Sequence, residues 1–168
     1  MANIDKLLPI VSKWCGGYVN DPTDNGGPTN RDITLATFRS VYGQYMTIED
    51  LKRMTDNQWR YILKTRYWDR WRADEIINQS IANILVQWVI GSGIHGIKKP
   101  QRILGVKADG IVGPVTLAAV NSADPKVLFD KLWNARKDHF ESIVRINPTQ
   151  KKYLKGWLNR LNDFKYQE

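Results

Sequence analysis

The chain has one cysteine, Cys15, among its 168 residues. A single thiol excludes an internal disulfide framework. With two histidines, His95 and His139, it supplies no zinc-ligand cluster, and the expectation is no metal and no cofactor. No run approaches 18 apolar residues, so no transmembrane helix is expected. The beginning of the chain also lacks the basic stretch and apolar core of a signal peptide. Leu7-Leu8-Pro9-Ile10-Val11 is too short and is broken by proline. Strand-period alternation is missing over any length, as are internal repeats, low-complexity runs and clear linkers. These absences leave a soluble, all-α or nearly all-α protein made in the cytoplasm as the expectation.

What is present is positive charge. Lys and Arg number 25 against 17 Asp and Glu, a formal net charge of +8. Such a protein is drawn to polyanions: nucleic acid, anionic lipid or a bacterial cell wall. The length suits one well-buried domain, with room for two lobes. Seven Trp and seven Tyr are many for this length. Core packing is the commoner use of such rings, and stacking against sugars in a cleft is the functional one.

Ile4, Leu7, Leu8, Val11 and Trp14 or Cys15 fall at helical spacing. They predict a short amphipathic helix over 4–15 with Cys15 in its last turn, ended by Gly16-Gly17. A polar loop over 17–33 follows, with room for a small β-hairpin. The glycine pairs at 16–17 and 26–27 are expected at positive φ or in crowded backbone. Thr34 caps a helix over 35–42 that stops at Gly43. Thr47-x-x-Asp50 and Thr55-x-x-Gln58 read as capping boxes opening helices near 48–54 and 56–67. Residues 74–91 are apolar on nearly every side and predict a central, buried helix. A helix–turn–helix runs from Pro100 through Asp109-Gly110 to Val120, with Asp109 shaping the turn and Pro114 opening the second helix. One helix over 125–146 and another from Pro148 close the chain. The loop expected near 91–99 is the boundary between a lobe over 1–92 and a lobe over 93–168, packed as one unit.

The run GGYVNDPTDNGGPTN at 16–30 resembles the N-terminal motif of glycoside hydrolase family 108. These are lysozyme-like N-acetylmuramidases of phage endolysins and bacterial autolysins. The segments at 100–120 and 147–160 are also similar to that family, whose second half is described as a peptidoglycan-binding region. In the family, a catalytic glutamate directly precedes the Gly-Gly pair, and here that position is Cys15. A second departure is Asp32, where the family usually has glycine. The resemblance implies a lysozyme-like helical fold. It also implies a hydrolase acting on the β-1,4 bond between N-acetylmuramic acid and N-acetylglucosamine in the wall after release or export. Peptidoglycan strands are the implied partner, with a monomer, no nucleic acid and no stable membrane insertion expected.

Glycoside hydrolysis needs a carboxylic acid held protonated near neutral pH and, in most families, a second carboxylate. Position 15, at the negative end of a helix dipole, suits a group that must keep its proton. Asp24 is the natural second carboxylate and Asp21 the alternative, with an Asx-turn before Pro22 the plainer use of Asp21. The spacing from 15 to Asp24 is similar to that of the T-even phage lysozymes. The spacing from Asp24 to Thr29 is one residue shorter than in those enzymes. By that resemblance Asp24 acts as base or electrostatic stabiliser, and Thr29 or Asn30 positions water. Tyr18, Asn20, Asp21 and Asn30 are candidate substrate-binding residues.

Cys15 does not replace a carboxylic acid, because a thiol is a weak donor on a shorter side chain. The chain as written is therefore expected to be largely inactive. A Cys–His pair with His95 or His139 is the outside alternative, disfavoured because low thiol pKa values come from helix N-termini or cationic neighbours. Two other readings remain. One is a non-catalytic wall-binding protein of the same fold. The other is a basic nucleic-acid binder using Trp68, Arg70, Trp71 and Arg72, with no recognition motif beside them.

Overall fold

The computed structural model of the protein describes residues 1–22 and 26–168. Nine α-helices lie among these residues: α1 (Ile4–Trp14), α2 (Leu35–Tyr42), α3 (Ile48–Lys52), α4 (Asp56–Leu63), α5 (Gln79–Ser92), α6 (His95–Leu104), α7 (Pro114–Ser122), α8 (Pro125–Ile146) and α9 (Lys151–Asn162). Two short strands, β1 (Thr29–Asn30) and β2 (Ile33–Thr34), pair antiparallel in the motif loop. The fold is thus helical with one small hairpin, as expected.

Local sequence explains most helix starts. Asn3, Thr34, Asn78 and Asp124 each accept a backbone N–H with the side chain, which satisfies a donor the first turn otherwise leaves open. Thr47 with Asp50 and Thr55 with Gln58 form reciprocal capping boxes. Helix α4 does not run on to residue 67 as an α-helix. It ends at Leu63 and passes into a π-helical turn, Lys64–Trp68, and a 3-10 turn, Asp69–Trp71.

Helix α5 is the axis of the molecule. It starts at Gln79, later than the apolar run suggested, because Asn78 caps it. Ile81, Ala82, Ile84, Leu85, Val86, Trp88 and Val89 are all buried, which is why no polar face shows in its sequence. Helices α6 and α8 lie against it. At the crossing with α6, a Cβ on Gly96 would lie 2.5 Å from the Trp88 carbonyl carbon and the Val89 nitrogen. Only glycine fits there. The expected loop over 91–99 is therefore only the connection Gly93-Ile94, because α6 begins at His95 and packs tightly on α5 through Gly96.

Four of the seven tryptophans, Trp59, Trp68, Trp71 and Trp88, are core residues. Each large apolar side chain so buried contributes roughly 1.5–3 kcal/mol. The cluster of Trp68, Arg70, Trp71 and Arg72 is not an aromatic surface. Trp68 and Trp71 have 0% exposure, Arg72 pairs with Glu75, and Lys64 pairs with Asp69 and Asp74. No helix among the described residues is long and apolar enough to cross a membrane.

Candidate functional site at the end of the first helix

Helix α1 stops at Trp14, one residue earlier than the periodicity indicated. Cys15 is its C-cap, in extended conformation, with its N–H still bonded to the Val11 carbonyl. The glycines do not end the helix by positive φ. Neither Gly16 nor Gly17 has it, and a Cβ on either would meet nothing within 4 Å. The last carbonyls of a helix need outside partners, and here the partner comes from α9. Arg160 Nη2 donates to the Trp14 carbonyl at 3.0 Å, placing a cation at the negative end of the dipole. Asp163 completes the attachment by accepting from the Trp14 indole N–H and pairing with Lys13 at 2.8 Å.

The motif loop is braced from within. Val19 and Thr29 exchange two backbone hydrogen bonds, of 2.7 and 2.8 Å. Thr29 then pairs with Thr34, and Asn30 with Ile33. The two residues left at the tip, Arg31 and Asp32, have φ of +50° and +66°. Positive φ at both positions is the signature of a type I′ turn, which favours glycine. Asp32 stands where the resembled family has that glycine. Its neighbours over-determine the turn. Trp59 donates its indole N–H to the Arg31 carbonyl at 3.0 Å. The Arg31 guanidinium lies 4.3 Å from the Trp59 ring centre and pairs with Asp56 at 2.7 Å.

The Asp32 carboxylate meets Arg160 Nη1 at 3.1 Å, with 24% of its side chain exposed. Burial pushes its pKa up from the carboxylate range, with Arg160 opposing. The Cys15 thiol is pushed up as well. Burial is the larger cause and the Asp32 charge the next, while Arg31 and Arg160 oppose them. The thiol's charged neighbours are therefore Asp32, Arg31 and Arg160, with no histidine among them. His139 lies instead beside Ser92 and Trp88. Of the two histidines offered for a Cys–His pair, His139 is thus engaged elsewhere.

The other expected site residues fall as follows. Thr29 is half-buried, and its hydroxyl donates to the Gly27 carbonyl at 3.0 Å. Tyr18 is half-buried, with Lys52 Nζ 4.7 Å from its ring centre. Asn20 is exposed. Asp21 accepts from the Tyr153 hydroxyl at 3.2 Å. Asn30 is buried, and its amide donates to the Leu51 carbonyl at 2.8 Å, which ties the loop to α3. Asp24 lies outside the described residues.

The sequence reading missed what α9 brings. Tyr153, Arg160 and Asp163 all reach the end of α1 or the motif loop, and the Tyr153 ring stacks on Trp157 at 5.9 Å. A signal was available: Arg160 sits in line with Trp157 and Phe164 on a helical stripe that is otherwise apolar. Asp32 was visible as a departure from a pattern, but its partner lies 128 residues away.

A helical scaffold with a polar loop at a helix end, closed by a second helical region, is what the geometry defines. Residues 8–93, just over half of the chain, match the model of the family described as glycosyl hydrolase 108. Residues 95–162 match the one described as a predicted peptidoglycan domain. The chain belongs to glycosyl hydrolase family 108. A solved structure titled "Structure of Brucella abortus SagA" is similar at 30% identity and a TM-score of 0.82, over 95% of this chain and 90% of that one. No curated protein matches. The chain thus carries a glycoside hydrolase scaffold of a peptidoglycan hydrolase family.

Proposed function

We propose that the chain is an N-acetylmuramidase of the phage endolysin type in which Cys15 occupies the place of the catalytic acid. A glutamate there would cleave the β-1,4 bond between N-acetylmuramic acid and N-acetylglucosamine. With cysteine the chain keeps its hold on the glycan and loses most of its hydrolysis. Asp24 is the second carboxylate, and Thr29 assists in placing water. Tyr18, Asn20 and Asp21 contact the strand. The lobe over 1–92 carries the chemistry, and the lobe over 93–168 contributes to wall binding. The protein works as a monomer on the wall, after release or export, with no nucleic acid as partner.

The observation that carries the reading is the environment of position 15. It is the cap of α1, half-buried, at the negative end of a helix dipole and beside the Asp32 carboxylate. Burial first and the Asp32 charge next, against Arg31 and Arg160, favour a group that keeps its proton, which a general acid must do. A thiol held protonated there is inert as a nucleophile and too weak to protonate a leaving glycosidic oxygen.

The test is release of reducing ends from purified peptidoglycan by this chain and by Cys15→Glu. Activity restored only in the variant supports the reading. Binding without hydrolysis by both would favour a wall-binding protein of the same fold. Equal hydrolysis by both would remove position 15 from the mechanism.

A further inference from the structure

The carboxylate at the hairpin tip has no counterpart in the pattern that the chain otherwise follows, since the resembled family has glycine there. Asp32 occupies a left-handed position that glycine fills more easily, at a cost of about 1–2 kcal/mol. Such strain persists only where surrounding contacts hold it. Here the contact is one guanidinium doing two things. Arg160 Nη1 meets the Asp32 carboxylate and Nη2 meets the carbonyl of Trp14, the residue before Cys15. Sharing one planar guanidinium fixes the carboxylate against the end of α1.

We propose that Asp32 is a positioning residue for the site at 15. Clamped by Arg160 against the carbonyl of Trp14, its carboxylate adds a fixed negative charge beside the group at position 15. This rests on the reading of position 15 as the acid's place.

Charged and titratable groups reach the pair from the hairpin, α1, α9 and the π-helical turn. From the hairpin, Arg31 opposes Asp32 both by its charge and by a side-chain hydrogen bond to the Cys15 thiol, while its guanidinium also pairs with Asp56 and lies over the Trp59 ring. From α9, Arg160 is shared between the Asp32 carboxylate and the Trp14 carbonyl. From α1, Lys13 is paired with Asp163. Tyr67, from the π-helical turn, feels the Asp32 charge and is itself held protonated, chiefly by burial. Both cations, Arg31 and Arg160, thus oppose the Asp32 charge while being shared with other partners, and burial together with Asp32 outweighs them at the thiol. For a glutamate at 15 the same field would favour the acid form.

The native thiol reports this field without any hydrolysis. Thiolate absorbance and alkylation rate against pH would be measured for the native protein, Asp32→Asn and Asp32→Glu. Asp32→Asn keeps the shape and removes the charge. It is expected to raise the thiolate fraction at a fixed pH below the midpoint about threefold to tenfold, as loss of a nearby like charge should. Asp32→Glu keeps the charge and is expected to titrate close to native. An unmoved or raised midpoint in Asp32→Asn overturns the proposal. So does an Asp32→Glu protein that titrates like Asp32→Asn, which would make the effect one of packing. In the second arm, Cys15→Glu is compared with Cys15→Glu/Asp32→Asn. The limb of the pH–rate profile that reports the acid is expected to move to lower pH. An inactive Cys15→Glu protein with a shifted native thiol overturns the hydrolase reading alone. An active one with an unshifted thiol overturns the role of Asp32 alone.

Discussion

The indole N–H of Trp71 donates to the carbonyl of Gly96 at 3.1 Å. Pro100 sits four residues after Gly96 inside α6 and has no N–H to offer that carbonyl. A buried tryptophan from the 3-10 turn after α4 takes the place of the missing helical bond. The same glycine is where α6 crosses α5 most closely. One residue thus joins the N-terminal helices, the central helix and the region that follows.

Gly96→Ala is therefore expected to be among the most damaging small substitutions. The added Cβ would sit 2.5 Å from backbone atoms of α5, which have no room to yield. Overpacking of this kind costs about 1–3 kcal/mol. A fall in melting temperature of roughly 3–10 °C follows for a chain of this size, measurable by calorimetry. A melting temperature unchanged from native would mean that the crossing is looser than described.

Arg160→Met should destabilise by about 2–3 kcal/mol, because it leaves a mostly buried carboxylate and a helix-end carbonyl without their partner. Urea unfolding would measure it. Adding Asp32→Asn to Arg160→Met should recover part of the loss, since the orphaned charge is gone. Strict additivity in that double-mutant cycle would show the two side chains to be uncoupled.

His139 predicts an acid limb of stability. Its pKa is lowered to about 4, first by burial and then by Lys99, Arg136 and His95. Its Nδ1 is buried without a hydrogen-bond partner. The native state then binds fewer protons than the unfolded chain between about pH 4 and the ordinary histidine range. Stability from this group is fully present above pH ~6.5 and is lost as pH falls towards 4. After discounting for partial exposure, the loss is on the order of 2 kcal/mol. The difference in unfolding free energy between native and His139→Gln, followed from pH 7 to 4, should shrink by that amount. A constant difference would show that His139 protonates freely in the folded state.

Cys15→Glu is expected to raise the rate of reducing-end release by about 100-fold to 10,000-fold, the usual contribution of a placed general acid. Because Asp32 and the helix end both disfavour ionisation, activity should extend further towards neutral pH than an ordinary glutamate allows. A rate profile already lost by pH 5 would contradict that environment.

Much of the fold was legible because it is local. Thr34, Thr47 and Thr55 announce helix starts by side-chain chemistry that acts within three residues. The apolar run before Gly91 announces burial by having no polar face. The hairpin was readable only as a possibility, since two-residue strands carry too little pattern to detect. The end of α1 was misjudged by one residue. Gly16-Gly17 looked like the terminator, whereas the contact that closes the helix comes from Arg160.

What the sequence by itself determined was the family, the helical class, the motif loop and the anomaly at Cys15, all consequences of residues close together in the chain. What only the tertiary structure decided was the company that position 15 keeps. Asp32, Arg31 and Arg160 act on it, while Asp163 holds Trp14 and Tyr153 holds Asp21, because α9 returns across the end of α1. That return depends on the packing of α8 and α9 against one another and against the core, and no local pattern encodes it. A charge acts through space with a strength set by distance and burial, so the chemistry at the helix end belongs to the assembled fold.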